Sequence, residues 1–173
     1  MTSTGSGSVP AQRRPQVAPR SLPDQLALLA QAVDVLAVRV AVSGELASDV
    51  RARALGLHLA AAAAAVREQV SRQRDVVVPV LAAADNADDG AAAAELLTAS
   101  LASADRVLSV VRATSPGASA LLAQTAGVGA LQQLGIATRA LWSALVDHER
   151  LWAAGAAPLA RRLLSERART TCG

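Results

Sequence analysis

Apolar side chains recur in alternating steps of three and four residues along four separate stretches of this chain. This spacing places side chains on one face of an α-helix. In the first stretch, this face consists of Leu26, Leu29, Val33, Leu36 and Val40. Apart from a short valine run at 76–78, no segment favours the alternating pattern of a half-buried strand. The pattern therefore predicts an all-α fold.

Capping residues, glycine and proline mark the expected ends of the first two helices. Ser21 to Asp24 has the sequence S-L-P-D, a capping-box-like start with proline in the first turn. Gly44 is expected to end this helix. The second helix is predicted over about residues 45–84, where Pro79 should kink it or end its regular part. Its predicted inner face comprises Leu55, Leu59, Ala62, Val66, Gln69, Gln73, Val76 and Val80.

Two more helices complete the pattern. The third is predicted over about residues 90–112, and the T-S-P-G turn at 114–117 is expected to separate it from the fourth. The fourth is predicted over about 117–154. Its inner face comprises Leu131, Leu134, Thr138, Leu141, Leu145, His148 and Trp152. Four such helices joined by short turns predict an antiparallel, up-down-up-down four-helix bundle over residues 21–156.

The two ends of the chain differ from this bundle. Residues 1–20 are rich in Ser, Thr, Gly and Pro, which predicts a disordered tail, and they contain no apolar core typical of a signal peptide. Gly155 and Pro158 are expected to break the fourth helix. Residues 157–173 are then predicted to form a short basic helix and tail. Its leucines either dock on the bundle or, with its arginines, make peripheral contact with an anionic membrane.

The charge pattern argues against specific nucleic-acid binding. All 17 basic residues are arginine, but the net charge is only +3 and the arginines alternate with carboxylates. Trp142 and Trp152 are the only aromatic residues, so no aromatic side chains are interleaved with the basic ones to stack on bases. The absence of Lys, Phe and Tyr is typical of a GC-rich bacterial genome.

Cysteine usage and hydropathy favour a cytoplasmic location. Cys172 is the single cysteine, so an intramolecular disulfide is excluded. The longest uncharged run, residues 113–138, is too weakly apolar for a membrane span, and we expect no transmembrane segment.

Polar residues interrupt the inner faces of the second and fourth helices, each ten residues before a proline. Gln69 precedes Pro79, and His148 precedes Pro158. A buried polar group is costly unless it is hydrogen-bonded or ligates something. One helical turn further on lie Gln73 and Trp152. These four side chains, Gln69, Gln73, His148 and Trp152, form the candidate core polar cluster.

This spacing resembles the bacterial hemerythrin-like (HHE cation-binding) family over roughly residues 24–165. The resemblance implies a four-helix bundle with a di-iron centre. Each of two family motifs, on helices 2 and 4, has a histidine, a glutamate four residues later and a proline six residues after that. The corresponding positions here hold Gln69, Gln73 and Pro79, then His148, Trp152 and Pro158.

The departures from the family motif argue against a metal centre. Only His148 matches a family ligand, the chain has two histidines in all, and the inner faces of helices 1 and 3 have no polar residue. Glutamine is a weak ligand for iron. We therefore expect no metal and no cofactor, and predict that His148 and the two glutamines, Gln69 and Gln73, hydrogen-bond each other or a buried water, which fixes the register of the helices.

The predicted function is that of a non-enzymatic, metal-free hemerythrin-like bundle acting as an interaction or regulatory protein. The sequence contains no phosphate-binding loop or lysine, and Ser143 is expected to point away from His148, so no nucleophile is activated. Two alternatives stay open. The first is an iron-binding, oxygen- or redox-responsive protein. The second is a bundle that binds a small apolar ligand, with Trp152 as a wall of the pocket.

Overall fold

The helices are described here from a computed structural model, which covers residues 21–44, 50–84 and 87–171. The predicted tail (1–20) and the expected start of the second helix (45–49) lie outside the described residues. Within those ranges the structure contains no strand, and the predicted all-α class is confirmed. The helices are α1 (Leu22–Ser43), α2 (Val50–Ala82), α3 (Ala87–Leu122), α4 (Val128–Leu151) and α5 (Ala157–Thr171), with a π-helical turn at Trp152–Ala156. Helices α1 to α4 pack together as four helices.

Both ends of α1 are capped as the sequence predicts. The Ser21 hydroxyl accepts a hydrogen bond of 3.2 Å from the backbone N–H of Asp24, which satisfies one of the free donors of the first turn. Gly44 follows the helix with φ of 71°, a left-handed conformation that costs glycine little, and its N–H bonds to the carbonyl of Val40. Local chemistry alone therefore sets the limits of α1.

The predicted turn at residues 114–117 is wrong, because α3 continues through Pro116 to Leu122. A proline inside a helix removes one backbone hydrogen bond and costs about 3 kcal/mol. Burial offsets this cost, since Ala118 and Leu121 continue the inner face of α3 and are almost fully buried. Thr114, also buried, donates its hydroxyl to the carbonyl of Val111 at 2.8 Å. The fourth helix consequently begins at Val128, after Gly127, and not at residue 117.

The regular α-helix is interrupted near Gly155 and Pro158, as predicted, and the short C-terminal helix begins at Ala157. The chain remains helical, but residues 152–156 form a π-helical turn in which the N–H of Ala157 bonds to the carbonyl of Trp152. The proline ring would clash with the carbonyl four residues earlier in a regular helix, and a widened turn relieves that clash. Helix α5 then packs on the bundle, with Leu159 and Leu163 buried against α2.

The second half of α2 departs from its predicted inner face. Pro79 lies inside the helix, which ends three residues later at Ala82. Val76 is 56% exposed, whereas Val77 is 1% exposed. An α-helix has 3.6 residues per turn, whereas the predicted inner-face positions of α2 follow one another in alternating steps of three and four residues, about 3.5 on average. Such positions gradually rotate away from the buried face along the helix. The buried side therefore follows Val66, Val70, Val77, Val80 and Leu81, of which Val66 and Val80 belong to the predicted inner face.

Helices α2 and α3 approach each other closely at Gly56. A Cβ atom at this position would lie 3.1 Å from the carbonyl oxygen of Ala118 and 3.1 Å from the Cβ of Leu121. These distances are tighter than ordinary packing, so any side chain at Gly56 would push the two backbones apart.

Helix α1 is long and apolar enough to cross a membrane by length and composition, with a mean hydropathy of 1.8 over its most apolar window. It is the one such helix in the part of the chain that the structure describes. A core helix of a bundle meets the same criterion, and the side of α1 that carries Leu26 and Val33 is buried against the other helices.

Candidate functional site

His148 lies at the centre of the candidate site and is only 4% exposed. It belongs to the inner face of α4, which the structure places as predicted, with Thr138, Leu141 and Leu145 also buried. Both of its ring nitrogens have hydrogen-bond partners on other helices. Nδ1 lies 3.1 Å from the hydroxyl oxygen of Ser103 on α3, and Nε2 lies 3.0 Å from Oε1 of Gln73 on α2.

These partners assign the proton of the neutral imidazole. An amide oxygen can only accept, so Nε2–H donates to Gln73 and Nδ1 accepts from the hydroxyl of Ser103. One histidine thus connects three helices through directional bonds. Such a bridge favours a single rotation and axial position of α4 against α2 and α3.

The predicted hydrogen bond between His148 and the glutamines is found for Gln73, but Gln69 does not pair with His148. Gln69 donates its side-chain amide to Oε1 of Glu149 at 3.0 Å. Gln69 lies one helical turn before Gln73, and Gln73 is the glutamine level with His148. Glu149 is 100° around α4 from His148, which places it at the partly buried edge of the core, where Gln69 reaches it.

Trp152, the fourth predicted member of the cluster, is partly buried beside His148 and bonds to none of the other three. It lines a cavity of about 10 Å³ together with Gln73, His148 and Ser100. That volume holds about one water molecule. The Ser100 hydroxyl is buried and has no protein partner, and it is the only such side-chain atom in the described ranges. The predicted site therefore encloses almost no free space.

Sequence reasoning missed Ser100 and Ser103, because it assigned no polar residue to the inner face of α3, and it missed Glu149, because that residue lies beside the inner face of α4. Ser103 precedes the buried Ala104, so it lies at the edge of that face rather than on it. The available signal was the small size of these serines beside an alanine-rich face, since small side chains allow the large imidazole to approach α3.

The described residues contain no group of three or more His, Cys, Asp or Glu side chains that could hold a metal ion. The groups that bond to His148 are a neutral amide and a hydroxyl, and the nearby carboxylate of Glu149 accepts from Gln69. Iron and zinc sites in proteins are built mainly from imidazole, carboxylate and thiolate ligands. This donor set does not fit the di-iron centre that the resemblance implies.

Burial lowers the pKa of His148 below its usual 6.5, and the nearby charge of Glu149 opposes this shift without cancelling it. The unfolded chain therefore binds a proton at a higher pH than the folded chain does. We expect the free energy of unfolding to fall as the pH drops from about 6.5 through the lowered pKa of the folded state.

Urea unfolding between pH 7.5 and 5.5 measures this dependence, with His148→Gln as the matched control that lacks the titrating ring. The exposed His58 is present in both proteins and cancels in the comparison. An equal pH dependence in both proteins would contradict the assignment to His148.

No family model, curated protein or solved structure matches this chain.

Proposed function

We propose that this protein is a non-enzymatic, metal-free helical bundle on a hemerythrin-like frame, which acts through its surfaces as an interaction or regulatory protein. The observation that carries this proposal is that both ring nitrogens of His148 are occupied by hydrogen bonds within the protein. Both nitrogens of His148 are engaged by Ser103 and Gln73, and Gln69 is engaged by Glu149. The one nitrogen lone pair of the neutral His148 ring therefore accepts from Ser103 and is not free to bind a metal, while the nearby Ser100 hydroxyl is the one buried side-chain polar atom of the described residues without a partner.

The up-down-up-down arrangement of the frame is part of the proposal. For α3 and α4, Gly117 packs against Leu134 while Ser103 reaches His148, so later residues of one helix meet earlier residues of the other. The same relation holds for α2 and α3, where Gly56 approaches Leu121 and Arg74 pairs with Asp105 at 3.7 Å. It also holds for α1 and α4, where Val33 lies near Gly135 and Leu26 shares a core cluster with Leu145. These contacts support antiparallel neighbours.

The space beside Trp152 argues against core ligand binding. The cavity there holds about one water, whereas pockets for small molecules measure about 300 Å³ or more. The large exposed apolar side chains are instead concentrated outside the core, on α1 and the first half of α2. Large apolar patches on a protein surface commonly mark interaction sites. This distribution supports a function exerted by the surface.

Metal analysis tests the proposal. Protein purified from iron- and zinc-replete cells is expected to contain well below one metal ion per chain, because the His148 cluster offers one imidazole and no carboxylate or thiolate in contact with it. Elemental analysis of the full chain provides the readout. His148→Ala serves as the control, since metal bound away from this cluster would persist in it. About two irons per chain that disappear in His148→Ala would support the iron-binding alternative instead.

A further inference from the structure

The side of the bundle formed by α1 and the start of α2 is apolar and exposed. Val42 is 85% exposed, Val50 is 79% exposed and Val35 is 61% exposed. We define this outer face by its six large side chains, Leu28, Val35, Val38, Val42, Val50 and Leu57. Since the opposite side of α1 is buried in the core, α1 is apolar nearly all round. A helix of this kind is normally covered on every side.

An open groove runs along the outer face between α1 and α2. It measures about 670 Å³ and continues into a further depression of about 380 Å³. Leu28 lines both spaces from α1, while Ala54 and Ala61 line the larger one from α2. Leu57 is one helical turn from each of these alanines, so it borders the groove on the outside. Large side chains beside small ones give the face ridges and hollows.

We propose that a second copy of this chain covers the outer face, forming a two-fold dimer in which the two α1 helices run antiparallel with Val35 at the axis. The inference rests on the proposed surface function and names its partner. Leu28 and Val42 lie seven residues before and after Val35, so the axis brings Leu28 of one copy level with Val42 of the other. The same two-fold axis brings Val38 of one copy level with Ala32 of the other, and Arg39 level with Gln31.

The charges of α1 suit this antiparallel pairing. Asp34 is directed to α4, where it pairs with Arg139 at 2.6 Å, so Arg39 is the one charge on the outer side of α1 between Leu28 and Val42. With a rise of 1.5 Å per residue, the two copies of Arg39 would lie about 12 Å apart along the direction of the paired α1 helices. This distance exceeds the ~8 Å over which salt screens charges. A parallel pairing would place them at the same level and cause repulsion.

The exposed area is close to what a dimer requires. A fully exposed Val or Leu side chain contributes about 90 Å² of apolar surface, so the six side chains expose roughly 350 Å² per copy. A standard-size protein–protein interface buries about 800 Å² per partner, and at the roughly 65% apolar share of homodimers this is about 500 Å² of apolar surface. Exposed alanines on the same face, including Ala32 and Ala61, supply much of the difference.

Other occupants fit less well. Residues 1–20 contain only Met1, Val9 and Val17 as large apolar side chains, too few to cover the face. Helices that lie on a membrane surface are rich in Lys and Arg around their apolar side. Arg39 and Arg51 are the only basic side chains, apart from His58, that line the groove and its extension.

Sedimentation equilibrium of the full chain tests the dimer. Val35→Glu should raise the dimer dissociation constant at least about 30-fold, because it places two carboxylates at the axis. Val76→Glu is the matched control, since Val76 is equally exposed but lies eleven residues, about 16 Å, past the end of the groove at Ala65. Thermal melts verify that both variants fold.

In a Cys172→Ser background, Val35→Cys should form an intermolecular disulfide on mild oxidation, and Val76→Cys should not.

The sedimentation and vesicle-binding results either support the dimer or overturn it. A concentration-dependent dimer that Val35→Glu dissociates and Val76→Glu preserves supports it. A wild-type chain that stays monomeric at 100 μM overturns it, as does a dimer insensitive to Val35→Glu. If the monomer binds vesicles of phosphatidylcholine and phosphatidylglycerol and Val35→Glu abolishes this binding, the face contacts lipid and not a second copy. Metal content is measured separately, so failure of the dimer leaves the metal-free surface function standing.

Discussion

Gly56→Leu should lower the free energy of unfolding by about 3 kcal/mol, because the new side chain has no space between α2 and α3. Its Cβ alone would lie 3.1 Å from a backbone oxygen and from the Cβ of Leu121, and neither atom can rotate away. For a chain of this length the loss corresponds to a fall of about 6–12 °C in melting temperature. Thermal and urea unfolding measure both quantities.

Gly129→Leu provides the control for helix propensity. Gly129 lies at the start of α4, and a Cβ atom there would meet nothing within 4 Å. Leucine favours a helix over glycine by up to about 1 kcal/mol, so this variant should be as stable as the wild type or slightly more stable. If both variants lost stability equally, the close approach at Gly56 would not be the cause.

His148→Leu should destabilise the bundle by about 2 kcal/mol, because Gln73 loses the hydrogen bond that satisfies its partly buried amide oxygen. Adding Gln73→Leu removes the unpaired group and should recover most of that loss. The structure therefore predicts strong coupling between positions 148 and 73. A double-mutant cycle measured by urea unfolding quantifies this coupling.

The companion cycle with Gln69→Leu distinguishes this network from other pairings. Gln69 bonds to Glu149 and not to His148, so the losses from Gln69→Leu and His148→Leu should add within about 0.5 kcal/mol. Coupling to position 69 with none to position 73 would show that the fourth helix packs with a different rotation against α2.

Local sequence determined the helical class, the ends of α1 and the inner face of α4. Capping by Ser21, the left-handed turn at Gly44 and the spacing from Leu131 to His148 depend on residues within one or two turns of each other. These effects operate the same way in any surrounding, because they arise from backbone hydrogen bonds and from the period of the helix. For the same reason, the placement of Gln69, Gln73, His148 and Trp152 on the inward sides of their own helices could be expected from their spacing alone.

Only the tertiary structure decided whether each proline stopped a helix and which partner His148 found. Pro116 and Pro158 stay within helical segments because the residues after them, Leu121 and Leu159 among others, bury apolar surface that offsets the lost hydrogen bonds. The partner of His148 depends on the rotation and axial offset between helices. Gln69 and Gln73 are four residues apart, about 6 Å along α2 and about 40° around it, so an axial offset of one helical turn decides which of them meets His148. The rotation of α3 decides in the same way whether Ser103 reaches the ring. Periodicity within one helix carries no information about that offset, because the packing of all four helices sets it.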